Sequence, residues 1–344
     1  MFEECKGSTG ETFNGMIHMM ERLQPPWFVW ENVTDLLDQG QEDNLFLLQE
    51  ALDAIGYTVA HHKVNSLHYG LPQDRERLYG VCVNRNIVRM NRKDARALVE
   101  RVLETVSNMK LAQPLHLSQF LLDDDDPYIN ECLSSLQETK SRRKEHGVEE
   151  DLLWRRKLQA LCLQHQVRLS ALKPSKDLVD NSWFHALPLR EQQGLLFQTA
   201  TCPDMRAVDL SQSIERMCPK TSDVLGTLLP CARWFLIRGS RSRILTGLEA
   251  MRAQGSPLDL LQELSNKPQV KCDADSLFSD LAGNAFSAPV VAAHMISVIL
   301  HSTGAQLAHM QGQPAGDTGS TCSASSSAHP DAEVDDLIAS IIAA

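Results

Sequence analysis

The sequence predicts an α/β fold with a largely parallel sheet, a mostly helical inserted region and a disordered C-terminal tail. Helical and strand patterns alternate up to about residue 85, which is typical of α/β units. Strand patterns weaken between residues 86 and 232 and return from Trp234. Residues 304–344 are rich in Gly, Ser, Thr, Ala and Pro. The predicted divisions are therefore 1–85, 86–232, 233–303 and 304–344.

The first division alternates helices with short apolar runs. Its predicted elements are a helix over 10–23, a strand over 27–30, a helix over 43–55 and strands over 57–64 and 78–83. Pro25 and Pro26 end the first helix. In parallel sheets, ligands bind at the carboxyl ends of strands. Glu31 follows the strand over 27–30, so its position favours a functional role.

The later divisions are mainly helical. Helices are predicted over 94–108, 151–172, 189–197 and 287–300. An acidic run, 123–126, and a basic run, 140–144, lie between the first two of these helices. The tail buries too little apolar surface to order itself, although 331–344 has the pattern of a short acidic helix that suits a protein partner.

Composition narrows the class of protein. The net charge of −11 argues against non-specific nucleic-acid binding, unless a basic cleft is set among acidic faces. The sequence contains no run of about 18 apolar residues, so it predicts no membrane span. The N-terminus lacks the pattern of a secretion signal. The nine cysteines are scattered without a CxxC pair. They predict reduced thiols in an intracellular protein and no metal site.

Two motifs at strand ends carry groups suited to chemistry. In Trp-Glu-Asn-Val, Glu31 is able to bind an amino group or ring nitrogen, and burial would let it donate a proton. The alternative is a solvated loop carboxylate. The run Tyr-Gly-Leu-Pro-Gln-Asp-Arg-Glu-Arg places Arg75 and Arg77 on one face of a strand. Their planar guanidinium groups suit a carboxylate, a phosphate or a base edge, whereas the alternative is a solvated strand edge.

Two further motifs lie near the C-terminus. Thr246 is a predicted helix N-cap and Gly255 a predicted helix stop. Just before them lies a strip of four arginines suited to phosphates: Arg233, Arg238, Arg241 and Arg243. The alternative is that the motif serves only to begin and end a helix. In the second motif, Gly283-Asn284-Ala285 leads into a helix, where backbone and amide groups suit a cofactor. The alternative there is a simple helix start.

The order of these motifs resembles that of the DNA (cytosine-5) methyltransferase family. The resemblance covers residues 10–84 and about 233–300, and Tyr69 to Arg77 is its most specific part. It implies part of a Rossmann-like sheet that binds S-adenosylmethionine, with the region 86–232 recognising the target. It also implies DNA as the partner, methyl transfer to carbon 5 of an extruded cytosine, and, in a eukaryote, a nuclear location.

The resemblance also implies roles for particular residues. Glu31 is expected to hold the cytosine at its ring nitrogen and amino group, with Arg75 and Arg77 supporting it. Further DNA contacts are expected from Asn32, Gln73 and Arg243. Closure of the S-adenosylmethionine pocket is expected from Asn284 and Ala285.

The sequence departs from the family where the nucleophile is expected. Only thirty residues precede Glu31, and their single cysteine, Cys5, lacks the family's preceding proline. The Gly-rich strand-turn for the cofactor is also missing. Ala285 stands where the family often has Ser, and Ser256 where it often has Phe. The sequence therefore predicts a truncated form that lacks the nucleophile. The alternatives are an inactive DNA-binding or regulatory homologue and a helical interaction protein.

Overall fold

The computed structural model describes residues 8–37, 42–145, 153–257, 259, 261 and 274–311 of the 344-residue chain. Met1–His301 forms one compact unit. A second unit, Ser302–Ala344, is described only as far as residue 311. The tail predicted to be disordered and to bind a partner therefore lies, beyond residue 311, outside the described residues. Its predicted terminal helix lies there too.

The first sheet has three strands in the order β1-β3-β2. They are β1 (Trp27–Val33), β2 (Tyr57–Asn65) and β3 (Glu76–Asn84), and β3 runs antiparallel to both neighbours. The prediction of a largely parallel sheet is therefore wrong for these strands, although β1 and β2 point the same way. The connection 66–75 is shorter than the dozen or so residues that a parallel crossover needs, so β3 has to return antiparallel.

Helices cover both faces of this sheet. Helices α1 (Ser8–Leu23) and α2 (Glu42–Ala54) pack on the face that carries Trp30 and Cys82. The opposite face is covered by α4 (Arg92–Asn108), which follows a single-turn helix, α3 (Arg85–Val88). Apolar residues at helical spacing give α4 its buried side, and Asn91 caps its first turn. These elements confirm the helices and strands predicted up to residue 108.

The region that follows is mostly helical, as predicted. Its helices are α5 (Pro127–Glu145), α6 (Leu153–Gln164), α7 (Lys176–Val179), α8 (Ser182–Ala186) and α9 (Leu189–Thr201). The sequence prediction missed α5, although Pro127 suits a first helical position and the Asp126 side chain accepts from the Tyr128 amide at 2.8 Å. The helix predicted over 151–172 ends at Gln164, before the left-handed backbone of Gln166.

The chain then forms a second antiparallel sheet, which further helices follow. Its strands, in the order β4-β5-β6, are β4 (Ala207–Asp209), β5 (Trp234–Leu236) and β6 (Arg243–Ile244). The helices are α10 (Gly247–Arg252), α11 (Ala274–Asn284) and α12 (Ala288–Gln311). Thr246 is the N-cap of α10, as predicted, in a capping box with Glu249. The last helix continues beyond its predicted end at residue 300.

One apolar core joins the helical region to the returning segment. It combines Trp154 and Leu195 of the helical region with Phe235, Leu248 and Phe278. By length and composition, no single helix among the described residues is able to cross a membrane. The helical segments Asp275–Asn284 and Ala288–Ser302 are long and apolar enough only when they are counted together, and they meet at a 44° bend.

Candidate functional site

The end of β1 places Glu31 beside two arginines. The preceding residue, Trp30, points to the other face, where its indole lies over Gly80; a Cβ at Gly80 would be 2.0 Å from that ring. Side chains alternate along a strand, so Glu31 faces the side that carries Arg75 and Arg77. Glu31 Oε1 lies 3.2 Å from Arg77 Nε and 3.9 Å from Arg75 Nη2. The structure therefore brings the three predicted catalytic residues together.

The Glu31 carboxyl group is largely shielded from water. Its side chain is 16% exposed. Burial raises the pKa of Glu31, while the positive charges of Arg75 and Arg77 act in the opposite direction. Oε1 accepts no hydrogen bond from any described residue, because the Arg77 contact lacks hydrogen-bond geometry. The carboxyl group thus keeps hydrogen-bonding capacity for a bound molecule.

Arg75 joins three segments that are distant in sequence. Its guanidinium is 5% exposed and donates to the carbonyl oxygens of Leu228 at 3.0 Å, Gly283 at 3.4 Å and Ala285 at 3.2 Å. A planar guanidinium carries five N–H donors, which suits this bridging position. The Gln-x-Arg-x-Arg and Gly-Asn motifs are therefore in direct contact.

Gly283 permits a close approach between α11 and the 229–230 backbone. A Cβ there would lie 2.1 Å from the Pro230 nitrogen and 2.3 Å from the Leu229 carbonyl carbon. We expect Gly283→Ala to lower the free energy of unfolding by roughly 1–3 kcal/mol, measured by urea denaturation. The control is Gly15→Ala in α1, where no atom lies within 4 Å. Because alanine favours helix, that variant should gain up to about 1 kcal/mol, and equal losses in both would contradict the close approach.

Asn284 and Ala285 lie at the exposed end of α11. The Asn284 side chain is exposed and donates to the Asp280 carbonyl at 3.1 Å, so its amide caps its own helix. The Ala285 carbonyl is occupied by Arg75, and the neighbouring Phe286 ring is 58% exposed. The predicted cofactor motif therefore forms a turn fixed to the Glu31 site, with an exposed aromatic ring beside it.

A family model described as C-5 cytosine-specific DNA methylase matches residues 3–299 of this chain. The chain belongs to that family.

The chain matches only part of its curated relatives in this family. The DNA (cytosine-5-)-methyltransferase DMT5 of Cryptococcus neoformans var. grubii is 24% identical over 86% of the chain but only 12% of its own length. The type II methyltransferase M.NgoBI of Neisseria gonorrhoeae is 35% identical over 25% of the chain and 26% of its own length. The chain thus spans 12% to 26% of these two relatives.

A solved structure is also similar to this C-5 cytosine methylase chain. The crystal structure of S. pombe Dnmt2 methyltransferase is 12% identical and covers 88% of the chain and 73% of its own, with a TM-score of 0.44.

Gln73 and Asn32, two of the three residues predicted to contact DNA, lie in contrasting environments. Gln73 is fully buried, and neither its side-chain nitrogen nor its side-chain oxygen has a hydrogen-bond partner among the described residues. Asn32 is exposed, and its side-chain oxygen accepts from the Val33 amide at 2.8 Å. Neither arrangement tests a contact with DNA, so both stay predictions.

Arg243 does not fit the surface role suggested by the sequence. Its side chain is 2% exposed and forms two 2.8 Å hydrogen bonds with the fully buried Glu249 carboxylate. The Arg243 Nε donates a hydrogen bond to Asp124 Oδ1 at 3.0 Å. Arg233 is paired as well, with Glu191 at 2.7 Å. Arg243 is therefore held within the fold, whereas Arg233, Arg238 and Arg241 of the predicted strip are 33%, 29% and 68% exposed.

The described cysteines include one that is preceded by proline, and it lies far beyond Glu31 in the sequence. Cys231 follows Pro230 and is exposed. Its thiol donates to Asp280 Oδ1 at 2.9 Å, and this hydrogen bond raises the pKa of the thiol. A nucleophilic cysteine needs a lowered pKa, so Cys231 is not arranged as one. Cys5 lies outside the described residues.

A buried histidine pair was not singled out from the sequence, because its partners are far apart along the chain. His294 Nδ1 donates to the Val290 carbonyl at 2.8 Å, so His294 Nε2 accepts from His62 Nε2 at 3.0 Å. The His294 ring stacks on Tyr79 at a centroid distance of 4.9 Å. Burial lowers the pKa of His62 to about 4, so the pair stays neutral and fixes α12 to the sheet. Within the described ranges, no cluster of His, Cys, Asp or Glu is arranged to hold a metal.

Proposed function

We propose that this chain provides the cytosine-binding part of a DNA (cytosine-5-)-methyltransferase. The observation that carries the proposal is the Glu31 carboxyl group, shielded from water, next to Arg77 and without a hydrogen-bond partner among the described residues. Membership of the C-5 cytosine methylase family supports the same substrate. The reaction is methyl transfer to carbon 5 of a cytosine extruded from DNA.

Glu31 matches the hydrogen-bonding edge of cytosine. One oxygen of a protonated carboxyl group accepts from the exocyclic amino group, and the hydroxyl donates to the ring nitrogen beside it. The raised pKa of Glu31 favours this protonated form. Proton donation to the ring draws electron density from carbon 6, which makes that carbon more electrophilic.

The two arginines have different tasks in this proposal. Arg77, whose Nε is 3.2 Å from Glu31, positions the carboxyl group, and the charges of Arg75 and Arg77 both limit its protonation. Arg75 donates to three carbonyl groups in two other segments and keeps the Gly-Asn turn against the site. Arg75 is therefore a positioning residue.

S-adenosylmethionine supplies the methyl group in this family. Among the described residues, the turn at Asn284 and Ala285 and the exposed Phe286 ring offer one wall for it. One N–H of the Asn284 amide and the Ala285 carbonyl are engaged within the chain, which leaves the second N–H and the side-chain oxygen of Asn284 for the cofactor. These residues form one wall and not a complete site.

We further infer that the described residues lack the thiolate nucleophile. Of the six described cysteines only Cys231 follows a proline, as the family's nucleophile does, and its thiol is held by Asp280. We therefore expect the nucleophile to come from outside the described residues. The same observation favours a second candidate function, a DNA-binding or regulatory homologue without its own catalysis.

Recognition of cytosine is the test of the proposal. In a duplex with an abasic site, the opposing base is unpaired and costs little to extrude. We expect the full chain to bind this duplex more tightly with cytosine than with thymine at that position, because thymine offers an acceptor where cytosine has an amino donor. Glu31→Ala should abolish the preference, measured by fluorescence anisotropy at low salt. No preference in the unaltered chain, or an equal one in Glu31→Ala, would be evidence against the role of Glu31.

The pH dependence of the cytosine preference distinguishes proton donation by Glu31 from a fit of shape alone. Burial raises the pKa of Glu31, so the protonated form persists to higher pH than in an ordinary glutamate. The cytosine preference should fall as pH rises through that raised pKa, because the carboxylate loses its donor. In Glu31→Gln the amide keeps one donor and one acceptor at every pH, so its preference should be flat. Parallel profiles in the two proteins would contradict a protonated Glu31.

A further inference from the structure

The second sheet carries a pocket away from Glu31, with arginines at its rim. The pocket has a volume of about 330 Å³ and lies between the 117–121 segment and the turn that joins β5 to β6. We propose that it takes one nucleotide of the DNA backbone, with the phosphate on the arginines and the deoxyribose on the apolar wall. This inference rests on the proposed function, because it takes DNA as the substrate.

Three arginines supply the positive charge. Arg241 is 68% exposed and Arg238 is 29% exposed, and Asp124 lies between them at 3.5 and 3.1 Å. Arg206, at the start of β4, is exposed and forms no ion pair with any described residue. Asp124 and Asp223 offset two of these three charges, so the rim keeps an excess of one positive charge. On a chain of net charge −11, such a concentration is what phosphate binding requires.

The turn that presents two of these arginines is already ordered. The Arg238 amide donates to Ser242 Oγ at 2.9 Å, and Ser242 Oγ donates to the Gly239 carbonyl at 2.6 Å. Gly239 has a φ of +61°, a backbone conformation that glycine adopts at little cost. Because the backbone is fixed in advance, binding a phosphate orders only side chains.

The wall of the pocket suits a sugar. Leu117 is 7% exposed and Leu236 is 1% exposed, and Ile237 lies beside them. Hydroxyl groups of Ser118 and Ser222 complete the lining. A volume of about 330 Å³ is at the small end of ligand pockets, which fits one nucleotide.

An acidic residue in the same pocket selects a phosphodiester over a free phosphate. Asp223 also lines the pocket; it is 51% exposed and lies 3.2 Å from His116. A phosphomonoester carries a charge of about −1.5 to −2 at neutral pH, whereas a backbone phosphate carries −1. Repulsion from Asp223 therefore penalises a free nucleotide more than DNA.

The pocket is also connected to the Glu31 site by one segment. Ser222 and Asp223 line the pocket, whereas Leu225 pairs with Gln73 and the Leu228 carbonyl accepts from Arg75. Thus a short run of chain contacts both places. A strand bound in the pocket would be held in a fixed relation to the cytosine site.

Salt dependence of DNA binding tests the proposal. We would measure anisotropy of a labelled 20-base-pair duplex with the full chain from 50 to 200 mM salt. Arg206→Ala and Arg241→Ala should each weaken binding about tenfold at low salt and reduce the slope of log K against log salt by about 0.9. Asp223→Asn should strengthen binding. The matched control is Arg92→Ala, since Arg92 is 71% exposed and lies outside the pocket.

Each outcome decides a separate point. Equal effects of Arg92→Ala and the two pocket variants, or weaker binding by Asp223→Asn, overturn the pocket while leaving the proposed function intact. Displacement of the duplex by deoxycytidine monophosphate or inorganic phosphate at a matching phosphate concentration indicates a free-nucleotide site and also overturns it. No DNA binding by the unaltered chain at low salt removes the proposed function and the pocket together.

Discussion

Replacing Glu249 with alanine should lower the free energy of unfolding by about 3–5 kcal/mol, because it leaves a buried charge uncompensated. The Glu249 carboxylate is fully buried and accepts two 2.8 Å hydrogen bonds from Arg243. It also accepts from the backbone amides of Leu122 at 2.8 Å and Thr246 at 2.9 Å. The substitution therefore removes the main counter-charge of Arg243 and the α10 capping box at once. Urea denaturation at neutral pH measures the loss.

Two controls isolate the effect of burial. Glu249→Gln keeps the shape of the side chain and an acceptor for the cap, so its loss should be intermediate. Glu100→Ala breaks an exposed pair with Arg96, in which both side chains are more than half exposed, and should cost less than about 1 kcal/mol. If Glu249→Ala cost no more than Glu100→Ala, the buried pair would not be a main support of this fold.

The sequence allowed much of the first α/β block to be predicted, but not the direction of β3. Apolar periodicity located α1, β1, α2 and β2 because each buries one side against the same core. Strand direction depends on the length of the connection, and the 66–75 segment is too short for a crossover. The length of the connection is set by the sequence, whereas the alternation of helices and strands does not by itself determine strand direction.

The candidate site was predictable in part, for a physical reason. Glu31 and Arg77 lie at the ends of paired strands, so local pattern placed them correctly. Arg243 could not be judged in the same way, because its burial depends on Glu249 at the start of α10 and on Asp124 in the turn before α5. The contact between Arg75 and the Gly283 carbonyl spans 208 residues, and no local pattern encodes it.

Arg75→Lys should destabilise the fold by about 2–4 kcal/mol, because buried carbonyl groups would lose their donors. A lysine ammonium is a point charge and is unable to reach the Leu228, Gly283 and Ala285 carbonyl groups together. Each buried group left without a partner costs about 1–3 kcal/mol. Urea denaturation measures this loss, and the cytosine-over-thymine preference of the abasic duplex is measured on the folded fraction.

Arg77→Lys is the matched control, since Arg77 contacts the same carboxyl group but bridges no segments. Its side chain is 15% exposed and donates one hydrogen bond, to the Glu76 carbonyl at 2.8 Å. We expect it to change the pH profile of cytosine preference while costing less than about 1 kcal/mol of stability. A stability loss in Arg77→Lys equal to that in Arg75→Lys would contradict the separation of roles. If instead only Arg75→Lys unfolds readily, then Arg75 holds the distant segments together and Arg77 acts mainly at the Glu31 carboxyl group.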